Sequence, residues 1–421
     1  MNKDLKSPIP PIFILGALFF IFGFVTWLNG TLIPYLKIAC ELNNFESLLV
    51  AFAFYISYFV MALPSSWILK KTGFRKGMMT GLLVMAAGAL VFIPAAETRT
   101  YGLFLTGLFI IGTGLSILQT ASNPYVTIVG PIESAAKRIS IMGICNKTAG
   151  VLAPLILGMI VLSDADVLMQ QLQTMDAAEK LVKLNELASR VIAPYTVMAA
   201  VLSGLALMIY FSPLPEVEEQ QSENDPNDPD QHKPGILYYP QLVLGVIALF
   251  LYVGAEVIAA DTIGTYGQAQ GIALSESRYF ASFTLTAMVI GYILGILSIP
   301  KFISQSKALA VSAITGVVFS LIAINTTGYT SVLFIALLGL ANALMWPAIW
   351  PLAIAGLGNY IKTGSAMLIM AIAGGALLPL LYGRFADIPS IGHRTAYYVL
   401  IPCYGFILYY SLKGSKLRNW S

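Results

Sequence analysis

Runs of eighteen or more residues dominated by apolar side chains recur along the whole of this 421-residue chain. A bilayer core about 30 Å thick takes about 20 residues of α-helix to cross, so each run is a candidate membrane span. Twelve are predicted: 12–36, 48–69, 77–95, 101–129, 139–162, 191–211, 239–266, 279–299, 308–325, 331–355, 364–381 and 396–412. Charged residues make up 11% of the chain, against about 25% in soluble domains. A membrane β-barrel is excluded, because it alternates apolar and polar residues in segments of roughly ten. The fold class that follows is an all-α membrane protein. Several runs exceed one straight crossing, and Pro34, Pro124, Pro347 and Pro351 are candidate kink sites.

Residues 212–235 read SPLPEVEEQQSENDPNDPDQHKPG, acidic, rich in Pro and Asn, and almost free of apolar side chains. Such a segment cannot bury a core and reads as a solvated linker. It divides the chain into a first half at 1–211, a linker at 212–237 and a second half at 238–421, with six spans in each half. A second polar gap at 163–190 carries Val167, Leu168, Leu172 and Met175 at helical spacing, which predicts a short amphipathic helix on the membrane surface. With both termini placed inside, inner segments carry fifteen of the 24 Lys and Arg residues and outer segments eight. That excess favours cytoplasmic termini.

The halves read as a parallel repeat. Aligning 23–35 (GFVTWLNGTLIPY) with 254–266 (GAEVIAADTIGTY) superposes Gly, Thr and Tyr and sets Gly30 opposite Asp261. Parallel halves with a midplane site between them are one transporter layout.

Against this apolar background, polar residues inside spans are informative, because each is costly in hydrocarbon unless it faces a cavity, a partner or a ligand. The fourth and fifth runs hold Gln119, Asn123, Asn146 and Lys147. An amide both donates and accepts, which suits a polyhydroxylated solute. Lys147 follows Arg138 by nine residues, which places an ammonium roughly 13 Å into a helix. The first and seventh runs add Asn29, Glu256 and Asp261, and Trp346 offers a ring face for a sugar. Together these residues predict a hydrophilic chamber between the halves. Lys147, Glu256 and Asp261 are the candidate charges for cation coupling.

Other chemistries find no support. Both histidines, His232 and His393, fall in predicted loops, and no HExxH or nucleophile–base pair is present, so a membrane-embedded enzyme is disfavoured. Cys40, Cys145 and Cys403 lack metal-ligand spacing and read as packing thiols. A net charge of +3 is too small to imply nucleic acid. The expected partners are a small-molecule solute and the lipid bilayer, with the protein a monomer and no cofactor besides a coupling ion.

Four stretches carry a family resemblance: TWLNGTLIPYL (26–36), LPSSWILKKTGFRKGMMTG (63–81), LFLTGLFIIGTGLSILQTASNPYVTIVGP (103–131) and NALMWPAIWPLAIAGLGNYIKTGSAMLIMAIAGGALLPLLYG (342–383). The second resembles the signature loop of the major facilitator superfamily, with Lys70 where an acid is usual and Ser66 where glycine is usual. Its Lys70, Lys71, Arg75 and Lys76 are read as topology and gating charges. Together the four stretches resemble the fucose–proton and glucose/galactose symporter group. The resemblance implies two pseudo-symmetric six-helix bundles in a bacterial inner membrane and alternating access to a central hexose or amino-sugar site. The acid on the family's first helix falls here at Gly30, and the acid on its fourth at Gln119, so both are absent. A sugar-contacting asparagine on the fifth helix matches Asn146, while the glutamine one turn earlier is Gly143.

These departures suggest that the coupling carboxylate has moved to the seventh span, as Asp261 or Glu256, with Lys147 its counter-charge. The ion is a proton or sodium, and oxygens of Asp261, Asn29 and Thr262 are candidate sodium ligands. Uncoupled uniport or exchange of sugars is the second reading.

Overall fold

The computed structural model describes residues 11–128, 135–212, 235–299, 301–357 and 360–420. The linker expected at 212–237 therefore lies almost wholly outside the described residues. Twelve helical segments are long and apolar enough to cross a membrane: Ile12–Ala39, Asn44–Leu69, Lys71–Glu97, Tyr101–Ser122, Ile141–Val161, Ala177–Phe211, Pro240–Asp261, Leu274–Ser298, Gln305–Asn325, Gly328–Ile354, Thr363–Ala386 and Gly392–Lys416. We refer to them as spans 1 to 12. The chain reverses between spans, so two ends of the bundle can be distinguished. The end where span 6 finishes at Phe211 and span 7 begins at Pro240 also holds the turn between spans 2 and 3, and we call it the linker end. The far end holds the segments at 40–43, 162–191, 262–273 and 387–391.

Helix starts and turns follow local chemistry. Span 2 opens on a reciprocal cap: Asn43 Oδ1 accepts from the Glu46 amide at 2.7 Å, and Glu46 Oε2 accepts from the Asn43 amide at 2.9 Å. Spans 2 and 3 turn at Gly73, whose φ of 76° is one that a side chain resists. The gap at 163–190 forms two helices rather than the one expected, Ala165–Thr174 and Ala177–Ser189, with Leu168, Leu184 and Leu187 buried. The second ends at Arg190, and the membrane-crossing helix of span 6 is Ile192–Phe211.

The interruptions fall elsewhere than at most of the prolines expected to kink. Span 1 breaks at Leu28, between helices Pro11–Trp27 and Asn29–Ala39, while Pro34 lies inside the second of these. Span 10 breaks between helices Gly328–Asn342 and Met345–Ile354. Here the cause is Pro347, which lacks the N–H that the Ala343 carbonyl needs. Pro351 likewise leaves the Pro347 carbonyl without a helical donor, and Gln305 Nε2 donates to that oxygen at 2.7 Å. The side chain of Pro124 lies outside the described residues. His393, expected in a loop, sits half-buried in the short helix Gly392–Ala396.

The repeat is visible in the packing. A Cβ at Gly23 would fall 1.8 Å from the Asn146 carbonyl oxygen, so spans 1 and 5 touch backbone to backbone there. Its alignment partner Gly254 makes the equivalent crossing of spans 7 and 11, where a Cβ would fall 2.1 Å from Leu378 Cδ1. Both close approaches need the absent side chain. Gly30 and Asp261, seven residues further along each span, are therefore structural counterparts.

Candidate functional site

At mid-depth, an ion pair among the described residues crosses between the halves. Lys147 Nζ on span 5 donates to Glu256 Oε1 on span 7 at 2.8 Å, and each side chain is 9% exposed. Tyr252, one turn before Glu256, donates its hydroxyl to the same oxygen at 2.8 Å. The ammonium also lies 4.2 Å from the centre of the Trp27 ring on span 1, a cation–π contact strengthened by the exclusion of water. Two buried charges are tolerable only when so partnered. Around them, Trp27, Ile144 and Val151 of the first half pack on Ala260, Leu285, Met288, Tyr292 and Ala343 of the second. Tyr252 also meets an aromatic wall, its ring 6.4 Å from that of Trp346, which stacks at 5.4 Å on Trp350.

Asp261 ends span 7 and is fully buried, with no hydrogen-bond partner for either carboxylate oxygen among the described residues. It is not the solvated end-of-helix acid that its position alone allows. Asn29 is also buried, and its Nδ2 has no partner among the described residues. The Thr262 hydroxyl is engaged, donating to the Ile258 carbonyl at 2.7 Å and lying 2.9 Å from the Tyr397 hydroxyl.

A hard cation such as sodium takes several oxygen ligands; among the described residues both Asp261 oxygens and the buried Tyr55 hydroxyl are unpartnered, while the Thr262 hydroxyl is engaged. No group of three or more His, Cys, Asp or Glu side chains gathers among the described residues.

The remaining expected residues make contacts of their own. Gln119 donates to the Tyr58 hydroxyl at 3.1 Å. Asn146 is half-buried and donates to the Phe19 carbonyl at 3.4 Å, within the first half. The side chains of Asn123 and Lys70 lie outside the described residues. Lys71 is exposed with its ammonium 3.8 Å over the Trp67 ring, Lys76 is exposed, and Arg75 donates to the Ser212 carbonyl at 3.3 Å. These basic residues sit at the linker end, far from Glu256 in the fold.

In this conformation Trp27, Lys147, Glu256 and Asp261 are buried where the two halves meet. Two grooves lie elsewhere. One of about 670 Å³ is apolar and lined by residues such as Leu251, Leu381, Phe385 and Phe406. A polar one of about 390 Å³ lies at the far end beside His393 and Arg394. Neither is lined by an expected site residue. Sequence reasoning missed Tyr252, although its four-residue spacing from Glu256 on one helix face was a usable signal.

Twelve helices in two matched halves, crossed at mid-depth by a buried ion pair, define a multi-pass membrane transporter. The Major Facilitator Superfamily family model matches residues 15–379, and the chain belongs to that superfamily. A glucose/galactose transporter of Brucella abortus biovar 1 (strain 9-941) is 35% identical over 405 residues, covering 96% of this chain and 93% of the relative. An L-fucose-proton symporter of Escherichia coli (strain K12) is 29% identical over 394 residues, covering 92% and 90%. A crystal structure of the transporter FucP in the outward conformation superposes with a TM-score of 0.72 at 29% identity, covering 97% of this chain and 99% of that one. These relatives are transporters by name, not enzymes.

Proposed function

We propose that the protein is a monosaccharide–proton symporter, taking a hexose such as glucose, galactose or fucose, or an amino sugar, by alternating access. It works as a monomer in a bacterial inner membrane with both termini cytoplasmic. The observation that carries the coupling is Asp261: a fully buried carboxylate without a donor among the described residues, beside Gly30, where the family resemblance places an acid. A carboxylate in that setting is costly as an anion. A bound proton removes the charge and so favours the conformation in which the acid is buried. Sodium is the other cation considered, and the imposed gradients below distinguish the two.

The Lys147–Glu256 pair supplies the sugar dependence. When the halves part at mid-depth, each charge loses its partner, and a buried unpartnered charge costs about 3–5 kcal/mol. Sugar hydroxyls replace both partners, accepting from the ammonium and donating to the carboxylate. Trp346, reached through Tyr252, offers a face for the ring. Gln119 and Asn146 complete the polar side of the first half once their present bonds exchange for sugar.

The test is radiolabelled sugar uptake into proteoliposomes under imposed pH or sodium gradients, with glucose, galactose, fucose and an amino sugar compared. A pH gradient alone drives accumulation, and Asp261→Asn abolishes it while leaving sugar exchange. Full accumulation by Asp261→Asn overturns the coupling. The second reading, an uncoupled uniporter or exchanger, is favoured by the neutral Gln119 in the family's acid position, and it predicts equilibration without accumulation under either gradient.

A further inference from the structure

The far end of the bundle is held shut by two carboxylates that make the same contact from opposite halves. Asp166, just past span 5, accepts the backbone N–H groups of Leu274 at 2.9 Å and Ser275 at 3.3 Å, the first residues of span 8. Asp387, just past span 11, accepts the backbone N–H groups of Asn44 at 3.1 Å and Phe45 at 2.8 Å, the first residues of span 2. It also accepts from the Asn44 side-chain amide at 2.6 Å. In the half-to-half correspondence, span 2 matches span 8 and span 5 matches span 11. The two contacts are thus one contact written twice.

The chemistry explains why these sites recur. The first amides of a helix have no acceptor within it, and a carboxylate is a strong, charge-assisted one. Here each acceptor belongs to the other half, so it is lost when the halves separate at this end. Neighbouring bonds reinforce both contacts. The Arg278 guanidinium on span 8 donates to the Leu162 carbonyl at the end of span 5. Lys37 Nζ donates to Asn44 Oδ1 at 2.5 Å, fixing the amide that Asp387 accepts from. Just inside, Ser282 Oγ of span 8 donates to the Val151 carbonyl of span 5 at 2.8 Å.

We propose that Asp166 and Asp387 are a symmetric pair of latches closing the far end of the transport path, and that both release when the protein opens toward that end. They are positioning residues, remote from the sugar site, that set how much of the closed state is populated.

The test labels a cysteine placed at Ser282, which is 2% exposed, in purified protein in nanodiscs. Cys40 and Cys145 are replaced, and buried Cys403 on span 12 is kept as an internal control. Asp166→Asn and Asp387→Asn each raise the Ser282→Cys labelling rate on the order of tenfold, as expected for loss of charge-assisted bonds. Both act on one equilibrium, so the double variant multiplies the two effects. Asp387→Glu, which keeps the charge, stays near the parent rate. An unchanged rate in the double variant overturns the proposal. So does an equal rise at Cys403, which would mean general loosening.

Discussion

Oδ1 of Asp261 lies 3.7 Å from the point where a side chain at Gly30 would begin. The two residues are counterparts in the repeat, and each belongs to a different half. A carboxylate at either position therefore serves nearly the same space. An acid carried on span 7 thus reaches the place that a side chain at Gly30 on span 1 would fill.

That space is also tight, which gives a first prediction. A Cβ at Gly30 would fall 2.7 Å from the Ala281 Cβ on span 8. Neither atom can rotate away, so Gly30→Ala must separate spans 1 and 8, at an overpacking cost of about 1–3 kcal/mol in this conformation. Thermal unfolding should fall by a few degrees. The double variant Gly30→Ala with Ala281→Gly restores the distance and should recover most of the loss. A single variant as stable as the parent would show that the contact is loose.

A second prediction concerns Lys147 and Glu256. Lys147→Met leaves the Glu256 carboxylate buried with only the Tyr252 hydroxyl, so it should destabilise by about 3–5 kcal/mol. Adding Glu256→Leu removes the orphaned charge, and the double variant should be more stable than Lys147→Met alone. Unfolding curves for the parent, both singles and the double measure this coupling. Sugar accumulation should be lost in all three variants, because stability recovers without the groups that meet the sugar. Additive stabilities would mean that the 2.8 Å pair carries no energetic coupling.

Much of this was legible in the sequence, for a physical reason. Lys147, Glu256 and Asp261 stand out because an ionisable group in an apolar run is costly, and the structure buries all three. The repeat was legible in Gly23 and Gly254 because only glycine permits those close crossings. Asp166 and Asp387 were not legible. They lie on connecting segments, where an acid is ordinary, and their partners are backbone amides more than 100 residues away that leave no sequence signature. The break at Leu28 carries no proline or glycine of its own.

The bond from Gln305 to Pro347 gives a third prediction. Pro351 removes the donor that the Pro347 carbonyl would have had, and Gln305 Nε2 replaces it from span 9 at 2.7 Å. Gln305→Ala should cost about 1 kcal/mol. In a Pro351→Ala background, the helix supplies its own N–H, so Gln305→Ala should then cost less. Thermal unfolding of the four proteins in this cycle decides the point, and an equal cost in both backgrounds would remove the proposed substitution of donors.

The last prediction separates the latch from the coupling acid by pH. Asp166 lies outside the spans, and its carboxyl is held below its ordinary value of 3.8, first by a hydrogen bond from the Ser275 side chain, then by the Ser275 and Leu274 amides and the Arg278 charge. Nearby, Asp164 is likewise held low by its bond to Arg190. A depressed carboxyl value means that the closed contact binds the ionised form. The contact is therefore fully present above about pH 4 and is lost only as the pH falls through the lowered value. In an Asp261→Asn background, which removes the coupling acid, labelling of Ser282→Cys should accordingly be flat between about pH 5 and 8 apart from the reagent's own pH dependence, corrected with a free thiol, and should rise only in stronger acid. Any pH dependence of sugar accumulation in the neutral range must come from elsewhere. It should persist in Asp166→Asn and vanish in Asp261→Asn. The reverse pattern would move the proton from the buried acid of span 7 to the far-end latch.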